Sequence, residues 1–200
     1  DAEGPLRLPI LEKFADRGTW VMGKVEQGTL SEGDTVLVMP NRESSRVEEL
    51  QINDHVVAYA KPGENVRIKL RNLALESVAK GFVLSSIENP IPIVKQFTAR
   101  INVLDLLEHR PILTAGYNCV LHVHTVIEEC KIKSLVSGIG KDGKPNGVKP
   151  SFVKSKGSAI VKIKIRSKVC AEMYEKMRQL GRFTLRDEGT TIAIGIILGN

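Results

Sequence analysis

The sequence predicts an all-β protein, and three observations carry the prediction. Short runs of β-branched and aliphatic residues recur throughout the 200 residues, closely spaced turn residues separate them, and long helical periodicity is missing. Two of the runs, residues 66–71 and 159–166, alternate apolar with basic side chains at period two, as a strand with one buried face requires. Only Met173, Met177 and Leu180 fall at helical spacing, enough for a turn or two. Many short strands at such intervals favour barrels or sandwiches over a parallel α/β arrangement.

In chain order, residues 19–22 and 34–39 read as strands, the second opened by the turn Glu32-Gly33-Asp34. Lys61-Pro62-Gly63 turns the chain into the alternating run at 66–71, and Lys80-Gly81 turns it again. Asn89-Pro90-Ile91-Pro92 then interrupts strand pairing, because proline lacks an N–H and pushes the preceding residue to extended backbone. Two compact β modules of similar size are expected, 1–92 and 93–200, in preference to one large sandwich. In the second, Thr114-Ala115-Gly116 precedes a strand at 120–125, and residues 159–166 form an alternating strand. Asp187-Glu188-Gly189 makes a tight turn between residues 182–186 and the apolar run 192–198. Alternation puts Phe183 and Leu185 on one face and Arg182, Thr184 and Arg186 on the other.

Composition narrows the class further. A hydrophobic fraction of 42% and a charged fraction of 26% exclude wholesale disorder. No apolar run approaches the ~20 residues of a membrane helix, so no membrane partner is expected. The opening Asp1-Ala2-Glu3-Gly4 is neither a secretory signal nor a methionine start and reads as part of a longer polypeptide. Three cysteines, Cys119, Cys130 and Cys170, without paired spacing fit a reduced, cytoplasmic protein. The net charge of +6 is uneven: residues 1–93 carry −3 and residues 94–200 carry +9. From Lys131 to Lys168, eleven basic residues meet one acid, Asp142.

Catalytic signatures are missing: no phosphate-binding glycine loop, no nucleophile elbow and no H-E-x-x-H helix. No catalytic, cofactor-binding or metal-binding residue is therefore assigned, and the chain by itself is not expected to be an enzyme. His122 and His124 lie two apart, so on a strand both would point to one face, with Cys119 and Cys130 nearby. Tetrahedral zinc needs further ligands at a coherent spacing, and structural histidines are the preferred reading. The basic residues Lys131, Lys133, Lys154, Lys156, Lys162, Lys164, Arg166 and Lys168 form a second candidate site. A solvated strand face accounts for 162–166 alone, whereas the whole segment would attract a phosphate backbone or an acidic protein. Phe152 is the one aromatic nearby, so base stacking is not expected. Backbone contact with ribosomal RNA and contact with an acidic protein stay open as equals.

One segment is more specific. Gly181-Arg-Phe-Thr-Leu-Arg-Asp-Glu-Gly-Thr-Thr-Ile-Ala-Ile-Gly195 resembles the C-terminal signature of translational GTPases of the elongation factor Tu and elongation factor 1-alpha type. Its wording is most similar to the class II release-factor branch, the GTP-binding subunits of eukaryotic peptide-chain release factors. Pro5-Leu-Arg-Leu-Pro-Ile10, Gly18-Thr19, Gly23-Lys-Val-Glu-Gln-Gly28, Pro62-Gly-Glu-Asn-Val66, Ala115-Gly-Tyr117 and His122-Val-His-Thr125 agree in family order. The resemblance implies two consecutive β-barrels, domains 2 and 3 of the family, with the GTPase domain absent; GTP and magnesium would belong to that domain. It implies that domain 3 docks the class I release factor through Arg182, Phe183, Thr184, Leu185, Arg186 and Asp187, in stop-codon-dependent termination on the ribosome. Among these, alternation makes Arg182 and Arg186 the contact residues and Phe183 and Leu185 core. Domain 2, the first module here, would face the small ribosomal subunit. The corresponding domains of the ribosome-rescue GTPase that partners Pelota, or of elongation factor 1-alpha binding aminoacyl-tRNA, are the alternatives; a net −3 on the first module is a poor surface for a polyanion. Two stretches depart from the family: Tyr174-Glu-Lys-Met-Arg-Gln179 replaces an acid–proline element, and Gly140–147 is a divergent hairpin tip.

Overall fold

A computed structural model describes all 200 residues, which divide into two units, Asp1–Ile93 and Val94–Asn200. In the first unit lie β1 (Arg7–Ala15), β2 (Thr19–Lys24), β3 (Leu30–Ser31), β4 (Thr35–Met39), β5 (Glu43–Ile52), β6 (His55–Val57), β7 (Tyr59–Ala60), β8 (Asn65–Leu70) and β9 (Val83–Ser85). The pairing order β4-β9-β1-β2-β8-β5 closes on itself because β5 also pairs with β4, giving a six-stranded ring with β6 on the far end of β5. Strand β5 serves both neighbours by length: residues 43–46 pair with β4 and residues 47–51 with β8, with a register shift between Val47 and Glu49. Such a shift bends a strand, which closure of a small ring requires. Leu8, Ile10, Val21, Val38, Leu50, Ile68 and Leu84 fill its interior.

The proline-bearing segment after β9 is held by a buried arginine. Arg7 is 2% exposed, and its Nη1 donates to the Asn89 carbonyl at 2.7 Å, the Leu6 carbonyl at 3.0 Å and the Ser85 hydroxyl at 3.1 Å. The Ser85 hydroxyl in turn accepts the Ile91 N–H at 2.8 Å. Nothing in the local spacing marked Arg7 as an inside residue; two of these three partners, Ser85 and Asn89, lie more than 75 positions away.

The second unit contains β10 (Ile93–Val103), β11 (Ile112–Leu113), β12 (Asn118–Val123), β13 (Val126–Gly138), β14 (Val153–Lys154), β15 (Ser158–Cys170), the single-turn helix α1 (Arg178–Gly181), β16 (Arg182–Asp187) and β17 (Thr190–Gly199). Strands β10-β15-β13-β12-β16-β17 form a closed barrel, and β11 with β14 makes a separate ribbon. The helix is shorter than the spacing of Met173, Met177 and Leu180 suggested: Met173 and Met177 flank a turn at residues 174–176 before it, and only Leu180 lies within it. Residues 139–148 fold back as a hairpin tip, with Ile139 bridging Pro145 and the Gly138 N–H donating to the Val148 carbonyl.

Inside this barrel Phe183 packs edge-on against Phe97, ring centroids 5.3 Å apart, among Ile101, Leu121, Ile132, Ile163 and Leu185. Its cross-strand partner is Gly195, where a Cβ would come within 2.4 Å of the Phe183 ring and 2.9 Å of the Arg100 carbonyl. The ring occupies the space that a side chain at 195 would need. Gly195→Ala is therefore expected to overpack the core and cost about 1–3 kcal/mol of stability. Denaturant melts beside Gly199→Ala, where an added Cβ meets nothing within 4 Å, measure the difference.

Candidate docking strand and basic face

Strand β16 owes its exposure pattern to its place between β12 and β17, which commits one of its faces to the barrel interior. Phe183 and Leu185 point inward; Arg182 is exposed, and Thr184 and Arg186 are half-buried on the outer face. Outward residues line up across four strands, because Thr184 pairs with both His122 and Ile194, and His122 pairs with Ile127. Ile127 is 55% exposed and Ile194 43%, so this row presents apolar side chains to solvent beside Arg182. Neither isoleucine was marked by the sequence; the row exists only once register is known.

The two arginines are not equivalent. Arg182 makes no hydrogen bond or ion pair within the chain, whereas the Arg186 Nη2 donates to the Gly189 carbonyl at 2.6 Å across the β16–β17 turn. The Arg186 Nε–H is buried without an acceptor. Asp187, read as an acid at a turn, is 7% exposed and points inward. Its Oδ2 accepts the Tyr117 hydroxyl at 2.5 Å and the Arg110 Nη1 at 2.8 Å, while the Arg110 guanidinium lies 4.0 Å from the Tyr117 ring centroid. Burial, with the adjacent Asp187 carboxylate second, pushes the Tyr117 phenol above its usual range. At the tip, the His109 Nε2 lies 2.6 Å from the Glu188 Oε2. The segment between β10 and β11 thus clasps the hairpin that carries the outer face of β16.

The eight basic candidates divide. Lys131 and Lys133 on β13, with Lys162, Lys164, Arg166 and Lys168 on β15, are all exposed, and β13 pairs directly with β15. Lys154 lies on the β11–β14 ribbon, 5.8 Å from the Phe152 ring, and Lys156 sits in the following turn, 3.3 Å from the Asp105 carboxylate. In the ring order, β13 and β15 stand across the barrel from β16 and β17.

The histidines do not share a strand face. β12 ends at Val123, and His124 takes a left-handed conformation (φ +41°) in the turn to β13. The His124 Nε2–H donates to the Cys170 carbonyl at 2.7 Å. Cys119 and Cys130 are direct cross-strand partners, their Sγ atoms 3.6 Å apart in the interior, whereas His122 faces outward. A hydrogen bond between the two thiols and burial together raise the Cys130 thiol far above its usual range. No group of three or more His, Cys, Asp or Glu side chains is arranged to hold a metal ion.

Residues 18–85 match the family profile of elongation factor Tu domain 2, and residues 96–198 match the GTP-eEF1A C-terminal domain-like profile. The chain belongs to the elongation factor Tu and elongation factor 1-alpha family of translational GTPases, of which it comprises two β-barrel domains. Within that family it is 42% identical over 198 residues to the eukaryotic peptide chain release factor GTP-binding subunit of Kluyveromyces lactis, covering 97% of this chain and 28% of that protein. The protein of the same name from Zygosaccharomyces rouxii is 39% identical, with 97% and 29% covered. The chain thus spans less than a third of the length of these relatives. The crystal structure of sup35 complexed with GDP superposes with a TM-score of 0.92 at 34% identity, covering 98% of this chain and 48% of that one.

Two stability predictions follow from the site. Tyr117→Phe removes a hydrogen bond to a buried carboxylate and is expected to cost about 1.5–3 kcal/mol in urea denaturation. Burial lowers the His124 pKa from 6.5 to about 4, opposed in part by its bond to Cys170. The unfolded chain therefore binds the proton first, and stability falls as pH drops from about 6.5 toward 4. His124→Asn, which tolerates the left-handed turn, is expected to show a smaller loss between pH 7 and pH 5.

Proposed function

We propose that this chain is the part of a class II release factor that holds the class I peptide-chain release factor in stop-codon-dependent termination on the cytoplasmic ribosome. The observation that carries this reading is the outer face of β16. The segment most similar to the release-factor branch forms a strand with an unpartnered arginine, Arg182, beside a row of exposed apolar side chains, Ile127 and Ile194. Arginine is among the residues enriched at the energetically dominant spots of protein interfaces, and the nearby isoleucines supply apolar surface that excludes water around it. Phe183, Leu185 and Asp187 act from inside the barrel, fixing strand position rather than touching the partner. Arg186, tied to Gly189, shapes the turn at the edge of the contact.

Nucleotide chemistry is assigned elsewhere. No phosphate-binding glycine loop occurs in these 200 residues, so GTP and magnesium are proposed to bind another domain of the full-length protein, which acts there as a GTPase. No helix is long and apolar enough to cross a membrane. The first barrel is proposed to meet the small ribosomal subunit, by analogy with the family.

Calorimetric titration of the chain with a class I release factor, and separately with Pelota and with aminoacyl-tRNA, tests the reading. Class I factor is expected to bind most tightly, and Arg182→Ala to weaken it at least about tenfold, or about 1.4 kcal/mol. Lys162→Ala, opposite Ser134 and seven positions along β13 from Ile127, is expected to leave it unchanged. Absence of binding by the unmodified chain overturns the proposal, and tighter binding of Pelota or aminoacyl-tRNA transfers the chain to the corresponding branch.

A further inference from the structure

The two barrels contain the same strand pattern with opposite electrostatic outcomes. On β8 of the first barrel, Arg67 and Lys69 alternate with buried Val66, Ile68 and Leu70, and Arg71 follows. Every one of these cations has a carboxylate: Arg67 reaches Asp54 at 2.8 Å, Lys69 reaches Glu48 at 3.6 Å, and Arg71 reaches Glu48 at 3.8 Å. On β15 of the second barrel, Lys162, Lys164 and Arg166 alternate with buried Val161, Ile163 and Ile165 in the same way. There only Arg166 is neutralised, by Glu129 at 2.6 Å on β13.

The remaining cations are left facing one another. Lys131 stands directly opposite Lys164 in the β13–β15 register. Like charges in that position destabilise a sheet. Lys133 reaches only the neutral amide of Gln96, at 3.0 Å, and Lys162, Lys164 and Lys168 have no carboxylate partner. The fold gains nothing from this arrangement, since the alternating pattern is satisfied equally well with acids opposite, as the first barrel demonstrates.

We infer that Lys131, Lys162, Lys164 and Lys168, on the outer face of β13 and β15, bind the phosphate backbone of RNA, at positions distinct from Arg182, Ile127 and Ile194. Alternate residues of an antiparallel strand are about 6.8 Å apart, so Lys162 and Lys164, with Lys131 opposite Lys164 and Lys168 two positions beyond the neutralised Arg166, set cations at multiples of one interval, suited to a chain of repeating anions. Lysine ammonium groups are compact point charges that pair with phosphate and carboxylate alike, so it is the regular repeat of the row that favours the evenly repeating phosphates of a nucleic acid over the irregular carboxylates of a protein surface. No aromatic side chain lies on the outer face of either strand, so bases go unread and the binding is indifferent to sequence.

Fluorescence anisotropy with a labelled oligouridylate tests the assignment, alongside a labelled polyglutamate of matched charge. Four lysines engaging four phosphates give a slope of about −2.8 for log affinity against log salt, or about 50-fold weaker binding at 200 mM than at 50 mM salt. Lys131→Ser with Lys164→Ser relieves the opposed pair without touching the core, and is expected to halve that slope. Lys162→Gln with Lys168→Gln provides a second variant with the same expectation. Arg182→Ala is expected to leave RNA binding unchanged, so failure here and failure of the release-factor reading are separately visible. No RNA binding, or a slope that neither double variant changes, overturns the inference. Polyglutamate binding as tightly as RNA reassigns the face to an acidic protein.

Discussion

Closure of a six-stranded ring is the constraint on which the rest of the second unit depends. Once β10 and β17 pair, no strand of the barrel has a free edge, and every strand residue must lie either inside or outside. The inside set, with Phe97, Ile132, Ile163 and Leu185 at its heart, supplies the burial that holds the unit together. The outside set is released from that duty. Surface chemistry can therefore differ around the barrel, apolar with arginine near β16 and largely cationic along β15, without disturbing the core.

Asp187 shows how the inside can govern the outside. Its carboxylate is shielded from water, and an unpaired charge there would be costly, so Tyr117 and Arg110 together keep it satisfied. Because those partners come from β11–β12 and the segment before it, the end of β16 is tied to two other parts of the chain. Arg182 and Thr184 inherit their position from this internal bond. The clasp at His109 and Glu188 repeats the tie at the tip.

Features set by neighbours in sequence were legible beforehand, and features set by distant partners were not. Period-two alternation correctly placed Phe183 and Leu185 inside and Arg182 outside, since facing depends on local backbone geometry. Asp187 looked like a turn acid because the residues that bury it are 70 or more positions away. His124 was expected on a strand with His122, but that strand ends at Val123, two residues before the end of the 120–125 run. The basic stretch was visible as a charge excess, yet β8 has a similar sequence and is neutralised. Only the pairing partner distinguishes the two, and pairing is a property of topology. The Ile127–His122–Thr184–Ile194 row had no sequence signature at all, because its members come from four strands.

Gly195 carries one further consequence. The Phe183 ring lies where a side chain at 195 would be, so the two positions hold a fixed volume between them. Enlarging 195 crowds the ring, and shrinking 183 leaves a hole that a glycine cannot fill. Only a paired exchange of large for small across the two strands keeps that volume constant. The strand proposed to meet the partner is thus packed against a residue with no side chain.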